Sequence, residues 1–139
     1  MTRAVLDSNV WVSGLLWKGA AHTVIQAVRD GELVCISSPA LIAELAEVLS
    51  RTKFATILLR AQLSRNDLLA DMRLMTEIME PAPLPNPVCR DPDDDHVLAL
   101  ALAAQAEFIV SGDDDLLTLH TFGGIAIVSP AAAIEHLLR

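Results

Sequence analysis

Four stretches of this chain carry carboxylates in settings that suit metal-assisted chemistry. Asp7 and Asn9 close the apolar run Ala4-Val5-Leu6, and Glu44 lies in the stretch that follows Ser38-Pro39. Asp91, Asp94 and Asp95 follow a proline-rich tract, and Asp113 to Asp115 follow Phe108-Ile109-Val110-Ser111-Gly112. Carboxylates gathered within a few ångströms repel one another and cannot all ionise without compensation. An oxygen donor set without histidine or cysteine favours Mg2+ or Mn2+ as the compensating ion. One or two such ions polarise a phosphodiester, activate a water and steady the leaving oxygen, which is the chemistry of nucleases and polymerases. They also screen the acids, so that a polyanion such as RNA can approach.

That chemistry requires the four stretches to converge. Arg3 to Leu6 reads as a first strand, followed by helical spacing over Trp11 to Trp17 and Ala21 to Arg29, the latter stopped by Asp30-Gly31. Leu33 to Ile36 is a second short strand, and Ser38-Pro39 is a cap with a first-turn proline, opening a helix that runs to about Ser50. Phe54 to Met79 keeps helical spacing, with a break at Ser64-Arg65-Asn66-Asp67 that reads as a capping box with Asp in place of Glu. Pro81, Pro83, Pro85 and Pro87 forbid a regular helix and mark an extended connection. Asp91-Pro92 then opens a helix over Asp94 to Gln105. Phe108 to Val110 is a strand, Ser111 to Asp115 a polar turn, Leu116 to His120 a helical turn, Ile125 to Val128 a last strand and Pro130 to Leu138 a final helix.

Strands that are continuously apolar and alternate with helices imply a parallel sheet buried on both faces. The expected architecture is a three-layer α/β/α sandwich with a central parallel sheet, one domain over residues 1–139. Ligands of such sheets bind outside the carboxyl ends of the strands, where the strand order changes direction. Asp7, Asn9 and Asp113 fall at that edge, Asp91 and Asp94 begin a helix beside it, and Glu44 lies on the second turn of its helix.

Each polar residue also has a structural reading. Asp91, Asp113 and Asp115 are cap residue types, Asp93 and Asp94 suit the first turn of a helix, and Asp7 suits a turn. Glu44 lies too deep in its helix to be a cap, and its alternative is a solvated charge like Glu47. Asn9 suits a turn, Ser13 and His22 ordinary helix positions, and His96, beside the acids, a helix surface, with a base as the alternative. Arg51, Lys53, Arg60, Arg65 and Arg73 form a loose basic stretch, read as a solvated face with RNA-backbone guidance as the alternative.

Composition bounds the rest. With 139 residues the chain can bury a core without disulfides or metal clips. Its apolar residues make up 53% of the sequence, yet no run approaches the roughly 20 residues of a membrane span. Asp7 interrupts the N-terminal apolar run too early for a signal peptide, so the cytoplasm is the expected location. Cys35 and Cys89 have no metal-like spacing and read as reduced structural thiols. The formal net charge of -8 opposes nucleic-acid binding unless divalent ions reverse the local field, and it also suits a basic partner segment.

Taken in order, Val5-Leu6-Asp7-Ser8-Asn9-Val10, Ser38-Pro39 with Glu44, Arg90-Asp91-Pro92-Asp93-Asp94-Asp95, and Val110-Ser111-Gly112-Asp113-Asp114-Asp115-Leu116 resemble the PIN-domain family, in particular the VapC-type toxins of bacterial toxin–antitoxin modules. The resemblance spans nearly the whole chain, and its specificity lies in the ordered set of motifs. It implies a Mg2+- or Mn2+-dependent endoribonuclease, frequent homodimerisation, and inhibition by a small antitoxin protein. Carried over position by position, Asp7, Glu44, Asp94 and Asp113 match the acidic metal site, with Asn9 and Ser111 as supporting polar groups. Asp91, Asp94 and Asp95 compete for the third acid; Asp94 is preferred because Leu98 and Ala101 place it on the buried side of its helix. Asp115 is either a supporting acid or a helix cap.

Two other classes compete with the ribonuclease. One is a catalytically weak binding module of the same fold, engaging RNA or a partner protein, against which the intact acid set argues. The other is a receiver domain or metal-dependent phosphatase, but Ile125 to Val128 is followed by Ser129-Pro130 rather than by the lysine a receiver needs.

Overall fold

Short apolar strands form the centre of the molecule because their neighbours bury them on both faces. In the computed structural model, which describes residues 1–137, the strands are β1 (Arg3–Leu6), β2 (Val34–Ser37), β3 (Glu77–Ile78), β4 (Phe108–Val110), β5 (Thr121–Phe122) and β6 (Ile125–Val128). The helices are α1 (Ser8–Leu16), α2 (Ala20–Arg29), α3 (Pro39–Leu49), α4 (Thr52–Arg60), α5 (Arg65–Met75), α6 (Asp95–Ala104), α7 (Asp114–Leu117) and α8 (Pro130–Leu137). A short 3-10 turn, Pro92–Asp94, leads into α6. Leu138, expected to end the last helix, lies outside the described residues.

The strand order is β3-β2-β1-β4-β6-β5, parallel throughout except for β5 against β6. Successive strand residues point to opposite faces, and in β1 and β4 successive residues are buried, so helices must cover both faces. This is the three-layer α/β/α arrangement. The buried side chains, with Trp11, Phe108, Leu98 and Ile109 among the largest, form one continuous cluster. From β1 the chain proceeds to β2 on one side and later to β4 on the other. The space beyond the ends of β1 and β4 is therefore the switch point where open parallel sheets bind ligands.

Helices α1 and α2 pack closely because Gly14 permits it. A Cβ at position 14 would lie 2.4 Å from Ile25 Cδ1 and 2.8 Å from the Ala21 carbonyl oxygen. The fit holds α1, and the residues at its N-terminus, against the rest of the fold.

The structure departs from the sequence reading in five places, one of them the helical turn expected over Leu116 to His120, which is instead α7 over Asp114–Leu117 because Asp113 caps it. Helix α1 starts at Ser8 rather than Trp11, because Asp7 caps it directly. The helical spacing expected to reach Met79 ends at Met75, and Glu77–Ile78 pairs parallel with β2. Thr76, β-branched and extended at φ -122° and ψ 155°, makes the break, and the unpaired edge of β2 supplies hydrogen bonds that outweigh local spacing. A hairpin between β5 and β6 adds an antiparallel edge strand. Its turn is Gly123-Gly124, with φ of 56° and 81°, the left-handed conformations that two-residue hairpins require. Finally, the turn Pro92–Asp94 delays the start of α6 to Asp95.

Candidate functional site

The end of β1 runs straight into α1, and Asp7 occupies the junction. Its Oδ1 accepts the Ser8 N–H at 2.8 Å, capping the helix. Its Oδ2 accepts from Asn9 Nδ2 at 3.0 Å and from Ser111 Oγ at 2.8 Å. Asn9 Oδ1 in turn accepts the Gly112 N–H at 2.8 Å, and Ser111 Oγ accepts the Asp113 N–H at 3.0 Å. The segments after β1 and β4 are thus tied together around one carboxylate that is only 3% exposed. Burial raises the Asp7 pKa, the Ser111 and Ser8 hydrogen bonds oppose it, and the charges of Glu44 and Asp113 add to the rise.

Asp113 caps α7, its Oδ1 accepting the Asp115 N–H at 3.1 Å. Asp94, Asp113 and Asp115 each present a carboxylate oxygen, and the three lie within 4.8 Å of one another. Asp94 is pushed up to about 7, first by burial and then by the charges of Asp113, Asp7 and Asp91. The ion pairs of the described residues involve none of Asp7, Asp94, Asp113 and Asp115. An all-oxygen, mutually repelling donor set of this kind fits a hard divalent cation.

Glu44 reaches the same edge from the second turn of α3. Its Oε1 accepts from Ser8 Oγ, and its Oε2 faces His96 Nε2 at 2.9 Å. The His96 hydrogen bond holds the Glu44 pKa below its ordinary value, and Glu44 raises that of His96, so the proton of the pair resides on the imidazole. Asp7 feels the Glu44 charge, and His96 feels Asp7 and Asp94.

The structure therefore gathers Asp7, Asp94, Asp113 and Asp115, with Asn9 and Ser111 bonded into the group and Glu44 beside it. Two of the competing acids have other work. Asp91 caps the turn Pro92–Asp94 through the Asp93 N–H at 3.0 Å, although its charge still reaches Asp94. Asp95 accepts the Val88 N–H at 3.1 Å and the Cys89 N–H at 2.7 Å, anchoring the proline-rich connection to α6. Asp115, expected either as a cap or as a supporting acid, stands in the carboxylate trio, and the capping falls to Asp113.

Two participants were given too little weight in the sequence reading, which preferred a surface position for His96 and assigned Ser8 no task. His96 is half-buried against Glu44 rather than on a free helix surface, because α3 packs beside it. Its position directly after the acidic run was the only local signal. Ser8, adjacent to Asp7, ties Glu44 to α1.

An α/β domain with a mostly parallel sheet and a carboxylate cluster at its switch point is the class that this fold and site define. The chain belongs to the PIN-domain family, whose profile matches residues 3–115, a span that contains all four acidic stretches. Among solved structures, the crystal structure of FitAcB from Neisseria gonorrhoeae is similar, with a TM-score of 0.51 and 16% sequence identity over 92% of this chain and 98% of that chain. At that identity the likeness shows the shared fold. No curated protein sequence matches the chain.

Proposed function

We propose that this PIN domain is a Mg2+- or Mn2+-dependent endoribonuclease, the toxin of a toxin–antitoxin module, and that Asp7, Glu44, Asp94 and Asp113 form its catalytic, metal-binding set with Asp115 beside them. The observation that carries the reading is the trio Asp94, Asp113 and Asp115, with oxygens within 4.8 Å of one another next to the buried Asp7. A cytoplasmic RNA substrate, a small antitoxin partner and a homodimer follow from the likeness of its motifs to VapC-type toxins. Among the described residues no helix is long and apolar enough to cross a membrane.

Asp7, Glu44, Asp94 and Asp113, with Asp115 beside them, would hold the ion, which would supply Lewis acidity and a water of lowered pKa when bound. Asp7 is fixed by Ser8, Asn9 and Ser111, so it keeps one orientation toward the reacting phosphate. Glu44, kept ionised by the proton on His96 Nε2 and held by Ser8, acts as an acceptor that orients a water.

The test is cleavage of a mixed structured RNA pool by the purified chain with Mn2+, Mg2+ or EDTA, beside Asp7→Asn and Asp94→Asn. Metal-dependent cutting that both variants lose is expected. Cutting by either variant at the parental rate would remove that residue from the metal site, and absence of cutting by the parent would favour the binding module.

A further inference from the structure

Beside the carboxylate site lies a groove of about 320 Å3 with a mostly apolar lining. Ser8 and Asn9, which bond Glu44 and Asp7, line one end, and Val12, Ser13 and Val48 also line it. Trp17 and Phe54 form the other end, their ring centroids 6.4 Å apart and their planes tilted by 53°. Phe54 is buried, but Trp17 is 48% exposed, an unusual position for a large aromatic side chain that the fold does not need to cover. Lys53 Nζ stands 5.1 Å from the Phe54 ring centroid, and Lys18 follows Trp17 in sequence. The groove lining contains no carboxylate, in a chain whose formal net charge is -8.

We propose that this groove seats an unpaired base of a single-stranded RNA, stacked on Trp17, with Lys53 and Lys18 on the flanking phosphates and a phosphodiester about two nucleotides along at the carboxylates. The proposal rests on the ribonuclease reading for its choice of ligand. Proteins that bind single strands combine an aromatic platform with cations along the backbone, because every base has a stacking face and every linkage a charge. This groove has both, and no other face described here pairs an exposed tryptophan with lysines. From Asn9 to Trp17 the rise along α1 is about 12 Å at 1.5 Å per residue, the reach of a couple of extended nucleotides. A cavity of about 410 Å3 lined by the proline-rich connection has Glu80 and Asp95 in its lining and offers no such platform, and one of about 420 Å3 beside Arg73 has no aromatic residue in its lining.

Fluorescence provides a test that does not depend on turnover. Trp11 is fully buried, so Trp17 is the accessible tryptophan of the two in the chain. Titration of the intact protein with a single-stranded RNA octamer, with Ca2+ in place of Mg2+, is expected to quench emission saturably, and Trp17→Phe, which lacks the reporter and is read by filter binding, is expected to bind with near-parental affinity. In cleavage assays Trp17→Ala raises KM roughly ten-fold with kcat within about two-fold, as expected for loss of one stacked base, and Trp17→Phe restores most of it. Lys53→Gln makes binding less salt-dependent by about one phosphate contact. Absence of quenching by RNA, or a Trp17→Ala variant with parental KM and an unchanged pattern of cut sites, overturns the proposal. So does quenching by an apolar helical peptide but not by RNA, or shielding of Trp17 that depends only on protein concentration, since these assign the groove to a protein partner or a second copy. If the parent cleaves no RNA yet is quenched saturably, the base seat stands and the ribonuclease reading falls.

Discussion

Asp94 carries the clearest consequence at the scale of single residues. In the unfolded chain it titrates like an ordinary carboxylate, and in the fold it is pushed up to about 7 by burial and by Asp113, Asp7 and Asp91. Between those values the folded chain binds more protons than the unfolded one, so metal-free stability falls as pH rises through that window. His96 acts in the same direction, because its raised pKa gives stability that is present at low pH and lost as pH climbs through the folded value. Thermal melts in EDTA should therefore show a higher Tm at pH 5.5 than at pH 8, on the order of a few degrees. At pH 8, Asp94→Asn should melt above the parent without metal and lose the stabilisation that Mn2+ gives the parent, although it does not cleave; a Tm below the parent's in EDTA would contradict the repulsion argument. The acids themselves were legible in the sequence, because four carboxylate-bearing stretches at strand ends and helix starts are conspicuous against an apolar chain. The allocation of tasks among neighbouring aspartates was not. Asp113 and Asp115 are two residues apart, and only the geometry of the short helix α7 decides that Asp113 caps it while both stand with Asp94.

Two junctions decide how the helices carry the site. Asp7 is both an acid of the cluster and the N-cap of α1, and Asn is as good a cap as Asp. Asp7→Asn should accordingly fold with a Tm near the parent's, whereas Asp7→Ala should lose about 1 kcal/mol as well as cleavage. Urea melts of the two variants separate the structural from the chemical contribution. At the α1–α2 crossing, Gly14→Ala should destabilise by about 1–3 kcal/mol despite the better helix propensity of alanine. Ile25→Val in the same chain should recover only part of the loss, since the Ala21 carbonyl, 2.8 Å from the added Cβ, cannot move aside as a side chain can. Full recovery would show the backbone to be more yielding than this packing implies. The long helices and the buried strands were readable from apolar periodicity and caps. The two-residue strands β3 and β5 were not, because each is too short to carry a pattern, and β3 forms only by pairing with β2, some 40 residues earlier in the chain. For β5 the Gly123-Gly124 pair was a hairpin signal that the helical reading of the preceding turn obscured.

At the scale of the whole molecule, the three-layer sandwich follows from the order of strands and helices alone, and it places the carboxylates where the β1 and β4 ends part company. In the proposed ribonuclease, net negative charge makes RNA approach conditional on divalent ions, so chelation should abolish RNA binding as well as cutting, read by filter binding with and without EDTA. Retained affinity in EDTA would show that the lysines beside the groove outweigh the acids without help. The sheet itself ends on both sides in two-residue strands, with Glu77 at one margin and Thr121 at the other. Such margins give a neighbouring chain almost no hydrogen-bonding ladder to prolong. Copies of this protein that meet in solution must then join through helical faces, and the molecule carries a built-in resistance to growing into fibres by strand addition.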